Sequence, residues 1–265
     1  MGIHLDPTIG DAGFRKSAVA IVDGDGRLSS SSTAVEDDEL AALVPADAAL
    51  IVVDAPLVVP NTEGRRDLER LLEWCDVAVF PTSLARLSKL HGGVRGPRLV
   101  GALHPGAPSA ETPPDLMLRQ LAWERASSDA VPDLAEYRAR FLSVRAPLYR
   151  PRGRGRADPR GGAIAADLLA DALDLGGWRP EERPDDRGAI RDAALLDAVA
   201  AAALAHRAVA DPGRVVALRS ETEGPYLLPA DAPFRERLAL NLERLREEGA
   251  VSLLDMPRTP WTDRH

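Results

Sequence analysis

The stretch ALIVVDAPLVVP, residues 49–60, carries one carboxylate inside a run that is otherwise apolar. Seven of the eight residues from Ala48 to Ala55 are apolar, and the β-branched Ile51, Val52 and Val53 stand together, so the segment is expected to be a strand buried on both faces. Pro56 lacks the amide that would extend a ladder, which ends the strand near Asp54. An ionised carboxylate left alone there costs several kcal/mol, whereas the tip of a parallel strand is where open α/β sheets place ligand groups. Asp54 is therefore either the cap of the following turn or a site residue.

Working outward, GIHLD, SAVAIVD from Ser17 and RLSSSST from Arg27 read as three consecutive strands, with the turn DGDG at Asp23 to Gly26 supplying residues suited to a tight hairpin. A short helix follows at 36–43, then the strand ending at Asp54, then a helix from Gly64 with Leu68, Leu71 and Leu72 at helical spacing. The order is thus β, β, β, α, β, α. Residues 81–114 are rich in proline and paired glycines and predict a long loop interrupted by one strand, RLVGAL from Arg98. Helices are predicted at 115–127, 133–143, 163–174 and 190–210, a further strand at VVAL from Val215, and a final amphipathic helix, FRERLALNLERLREEG, stopped by Gly249. The expectation is one α/β domain over residues 1–265, with a helical and loop elaboration at about 81–175.

Composition narrows the setting. A chain of 265 residues is long enough to bury a substantial core. The one cysteine, Cys75, excludes an internal disulfide and a cysteine zinc site, which suits a reducing compartment. The chain opens directly on a strand-like segment, and no apolar run is read as reaching the roughly 20 residues of a membrane span, so a cytoplasmic protein without a membrane partner is expected. A net charge of -8 argues against whole-surface attraction to nucleic acid and leaves room for a local basic groove. The oligomeric state is not legible.

The second unexplained acid lies in IRDAALLDAVAAAALAHRAV. From Ala193 to Ala205 every residue is apolar except Asp197, and a helix that is apolar all round is a buried helix. Asp197 therefore needs a partner: a buried arginine, or a shared site. Asp192 is turned about 140° around the helix from Asp197 and is a secondary candidate. In GIHLD, strand alternation places His4 and Asp6 on one face. Acids from the opening meander, from the next strand tip and from a late buried helix could converge at one end of a sheet. Carboxylates gathered in that way hold Mg²⁺ or Mn²⁺, and two such ions about 4 Å apart can clamp a phosphodiester.

At these residues the chain resembles a known family. GIHLDPT, IVVDAPL, WCDVAVFPT, LLDAVAAAALAHRA and EGPYLLP are similar, in that order and over nearly the whole chain, to the domain-of-unknown-function family 429. The resemblance implies a ribonuclease H-like fold, a mixed five-stranded sheet flanked by helices with extra helices in the middle, and a metal-dependent nuclease activity. It also implies that Asp54 and Asp197 fall on the family's acidic positions. The family's Gly-Ile-Asp falls on Gly2, Ile3 and His4, so the first acid is replaced by His4 as a Mn²⁺ ligand, supplied by Asp6, or lost. The glutamate that the family places before a proline is Leu103 here, leaving Glu111 and Glu124 as alternatives. The reading is a nuclease using Asp6, Asp54 and Asp197, with His4 and Asp192 as further candidate ligands. The basic run YRPRGRGRADPR offers Arg152, Arg154 and Arg156 to a nucleic-acid backbone, or is a solvated loop. Two alternatives stand beside it: a phosphotransferase of the sugar and acetate kinase type, for which DPTIGDAG is a loose phosphate-turn match, and a binding protein whose acidic site has decayed.

Overall fold

Ile51, Val52 and Val53 are fully buried in the strand Ile51–Asp54, the fourth of the chain, and they pack against two different hydrophobic clusters, one on each face of the sheet. The computed structural model describes residues 1–6, 17–103, 108–127, 133–150, 159–182, 186–219 and 222–248. Its strands are β1 (Gly2–His4), β2 (Ser17–Val22), β3 (Leu28–Ala34), β4 (Ile51–Asp54), β5 (Ser109–Glu111), β6 (Val215–Leu218) and β7 (Tyr226–Pro229). They form a seven-stranded mixed sheet in the order β3-β2-β1-β4-β5-β7-β6. β1, β4, β5 and β7 run parallel, while β2, β3 and β6 are antiparallel to their neighbours. The parallel strands β1 and β4 pair His4 with Asp54, so the two candidate site residues emerge side by side at the same end of the sheet.

The opening order β, β, β, α, β, α is observed, with α1 at Asp37–Ala42 and α2 at Asp67–Trp74. The middle region differs from expectation. RLVGAL is helix, not strand: α4 spans Gly96–Ala102, following α3 at Leu84–His91. Pro97 suits a first helical turn, and the buried residues Gly96, Leu99 and Leu103 recur at helical rather than alternating spacing. The proline-rich loop also hides β5, whose three residues join the main sheet. Instead of five strands the sheet has seven, because YLLP forms β7 and carries β6 onto the edge beyond β5. The remaining helices are α5 (Pro114–Ala126), α6 (Leu134–Ser143), α7 (Pro159–Ala170), α8 (Asp186–Ala210) and α9 (Ala232–Glu247).

The alanines of α8 have a structural cause. α8 crosses β1, β2 and β4, and its main chain lies directly on the first strand. A Cβ built at Gly2 would stand 2.0 Å from the Ala198 carbonyl oxygen and 2.2 Å from the Ala202 amide nitrogen, so only glycine fits there. Ala198, Ala201 and Ala202 are fully buried at this crossing. By length and composition α8 would pass for a membrane span, yet 78% of its most apolar stretch is buried inside the fold. It is a core helix that brings Asp197 down to the end of β1.

Candidate metal centre

His4, Asp54 and Asp197 come from three elements that are remote in sequence and meet at the carboxyl end of the parallel strands. One ligand atom from each lies within 4.8 Å of the others. His4 Nδ1 is 2.8 Å from Asp54 Oδ2 and 3.3 Å from Asp197 Oδ2. The side chains of His4 and Asp54 keep 21% and 23% of their surface, whereas Asp197 keeps 1%. The group is therefore a floor of buried carboxylate beneath a rim that solvent can reach. A nitrogen and two carboxylates at this separation could hold a metal ion.

Arg150 closes one side. Its Nε and Nη2 donate to Asp197 at 2.9 and 2.5 Å, its Nη1 donates to Asp115 at 3.1 Å, and Nη2 stands 3.8 Å from Asp54. The hydroxyl of the adjacent Tyr149 donates to Asp197 Oδ1. Both readings of Asp197 are thus present: it has a buried arginine partner and it belongs to a cluster. Charge decides which matters. Among the ion pairs of the described residues, Asp54, Asp115 and Asp197 set three carboxylates around the one guanidinium of Arg150, so with a neutral imidazole this part of the site carries more negative than positive charge. That excess favours a cation.

The titration behaviour follows. Burial works against a charged imidazole at His4, but the hydrogen bond to Asp54 and the fields of Asp197 and Asp54 overcome it and hold His4 above its ordinary value. Burial, with the field of Asp197, raises Asp54 despite His4 and Arg150. Arg150 stays charged: burial opposes its charge, and Asp197 and the other acids around it outweigh the penalty.

The other expected residues fall elsewhere. β1 ends at His4, so alternation does not carry Asp6 into the group; the Asp6 amide donates to Ser17 Oγ at 3.1 Å and its carbonyl accepts from Arg95 at 2.8 Å. Asp192 accepts from the Glu181 amide at 2.7 Å and from Arg191, and it is not part of the group. Glu124 binds Arg207 at 2.8 and 3.0 Å. Glu111 pairs in register with Val53, one residue before Asp54, and accepts from Arg66 and from the amides of Leu57 and Val58 at 2.6 and 3.1 Å. Arg66, 1% exposed, also donates to Glu69 at 2.9 Å and to the Val58 carbonyl at 2.8 Å, so Glu111 is engaged in a buried ion-pair network and is not part of the group. Arg152, Arg154 and Arg156, and the turn DPTIGDAG beyond its first residue Asp6, lie outside the described residues. Arg150 opens the basic run YRPRGRGRADPR, and its pairing with Asp197 was signalled only by an arginine-rich run in a chain with a buried acid that lacked a partner.

A cavity of about 630 Å³ opens beside the group, with His4, Asp54, Asp115 and Arg150 at its polar side. Comparisons with protein-family models, with curated proteins and with solved structures found no match.

Proposed function

We propose that the protein is a metal-dependent phosphodiesterase built on a ribonuclease H-like core, in which His4, Asp54 and Asp197 hold the cation. The observation that carries this reading is the convergence of one imidazole nitrogen and two carboxylates within 4.8 Å at the open end of the parallel strands. The contiguous mixed strands β3-β2-β1-β4-β5 support the fold assignment, with β7 and β6 as an extension. Two carboxylates suit Mg²⁺ or Mn²⁺, and the imidazole tips the choice to Mn²⁺. A divalent cation bound there supplies a nucleophile by lowering the pKa of its water and neutralises charge on the phosphate. The donors described serve one cation; a second ion of a two-metal arrangement would draw on Asp115, which lies across Arg150 from Asp197.

The chain's own groups then have distinct parts. Asp197, held by Tyr149 and Arg150, is the fixed ligand, and Asp54 is the exchangeable one at the rim. Arg150 is placed to give N–H donors to non-bridging phosphate oxygens, as guanidinium forks do. His4 sits between the acids and competes with the cation for them when protonated.

The test is isothermal titration of the protein with Mn²⁺ and with Mg²⁺, followed by incubation with linear DNA, RNA, branched junctions and an activated phosphodiester. Mn²⁺ binding that Asp54→Asn weakens by more than about tenfold, with an unchanged fold by circular dichroism, supports the reading. Failure of the wild-type protein to bind either cation, or to cut any phosphodiester when loaded, sinks it. A second reading draws on the Arg150–Asp197 pair alone: a guanidinium that permanently replaces the cation would make this a binding site without chemistry. An unchanged melting temperature on adding Mn²⁺ would favour that reading, because a ligand that binds only the native state must stabilise it.

A further inference from the structure

The cavity beside the acidic group is larger and more apolar than a metal-bound phosphate needs. Its volume of about 630 Å³ is in the range that encloses a small organic ligand. Beyond the polar side, its walls are Pro56, Val79, Phe80, Leu87 and Pro113. Phe80 is 49% exposed, with the guanidinium of Arg86 4.3 Å from its ring centroid. Arg86 covers one face of the ring and does not line the cavity, so what Phe80 offers the cavity is the rest of its half-exposed ring, and bases stack on such rings in sequence-tolerant fashion. A second observation points the same way. Thr112 directly follows β5, donates its amide to the Val53 carbonyl at 3.0 Å, and lines the cavity. It is 3% exposed, and its hydroxyl has no hydrogen-bond partner among the described residues. A buried hydroxyl left unpaired is costly, and a ligand that reaches it recovers that cost.

We propose that this cavity seats the base and sugar of a single nucleotide, free or at the end of a strand, whose phosphate lies at the His4, Asp54 and Arg150 side. The base stacks on Phe80, Thr112 hydrogen-bonds the sugar or the base edge, and the phosphate meets Arg150 and the cation. The assignment of the phosphate end rests on the metal reading above. The assignment of the base rests on Phe80 and Thr112, neither of which belongs to the metal group. It makes the substrate a compact nucleotide unit instead of an internal bond of a continuous duplex. The excess negative charge of the acids repels a phosphate, so cation and nucleotide bind with positive coupling, each raising the affinity of the other by the same factor.

The experiment is isothermal titration of the full chain and its Phe80→Ala and Thr112→Val variants. The probes are Mn²⁺ alone, then inorganic phosphate, adenosine 5′-monophosphate and cytidine 5′-monophosphate in saturating Mn²⁺. Both nucleotides are expected to bind at least about tenfold more tightly than phosphate, and Phe80→Ala to lose about tenfold of nucleotide affinity. Thr112→Val should lose about three- to tenfold. Neither variant should change the affinity for Mn²⁺ or for phosphate. Nucleotides that bind no better than phosphate, or nucleotide affinity that survives Phe80→Ala, overturn the proposal. If Mn²⁺ does not bind, the metal reading fails by itself; nucleotide binding that still depends on Phe80 would then uphold the cavity assignment, and its absence would end both. A linear oligonucleotide and its covalently circularised form separate the sources. Tight binding of the linear form identifies a strand end, binding of mononucleotides alone identifies a free nucleotide, and equal binding of the circular form overturns the single-nucleotide assignment.

Discussion

Arg66 shows how a buried charge is kept in this fold. It is among the largest fully buried side chains, and its guanidinium is shared between Glu69 at 2.9 Å and Glu111 at 2.8 Å with Tyr226 beside it. Burial pushes Glu111 above the usual carboxylate range, against the pull of Arg66 and of the Leu57 and Val58 amides. Arg66→Met leaves two acids buried without a counter-ion and should destabilise the protein by about 3–5 kcal/mol in urea unfolding. A loss below about 1 kcal/mol would show that the acids are neutral in the folded state. Asp76 poses the opposite case. It has φ 57 and accepts hydrogen bonds from Arg138 and Arg237. Partial burial raises its pKa, and the two arginines outweigh that and hold it below its ordinary value. A depressed carboxyl contributes stability that is complete above its ordinary value and lost as pH falls through the lower folded value. Asp76→Asn keeps the left-handed backbone and should remove part of the acid-induced loss of stability below about pH 4, read as a flatter dependence of the urea midpoint on pH.

At the scale of elements, the crossing of α8 over β1 is the contact that assembles the centre. Gly2 admits the α8 main chain to within what would be 2.0 Å of a Cβ. Gly2→Ala must separate the two elements and should cost about 1–3 kcal/mol, as overpacking does, while also weakening Mn²⁺ binding because His4 and Asp197 ride on the separated pieces. Stability that falls with metal affinity unchanged would show that the centre does not depend on this contact. The alanine run was plain in the sequence as a buried helix, and Asp197 stood out against it. Its distance from β1 was not legible, because close approach depends on which small residues face a glycine two hundred positions earlier in the chain. RLVGAL misled for a related reason: a short apolar run carries no period long enough to separate helix from strand, and Pro97 at the helix start was the only decisive cue.

For the whole molecule, the first six elements and the acids at β4 and α8 could be read from local pattern. The interior strand β5 could not, since three residues between prolines carry little signal and only the neighbouring β4 and β7 make them a strand. Nor could Arg150, whose role depends on where Asp197 comes to rest. If the cation reading holds, Mn²⁺ at a hundred times its dissociation constant should raise the unfolding free energy by about 2.7 kcal/mol, a shift of about 5–10 °C in melting temperature that Asp54→Asn abolishes. One property of the molecule then follows from the contact beneath its centre. Gly2 and the alanines of α8 have no side-chain torsions to exchange, so the joint they form is made of backbone and methyl groups alone. Thermal rotamer hopping elsewhere in the core has little leverage on the distance between the two main chains that carry His4 and Asp197, so the imidazole and the deep carboxylate reach toward an ion from a fixed backbone spacing.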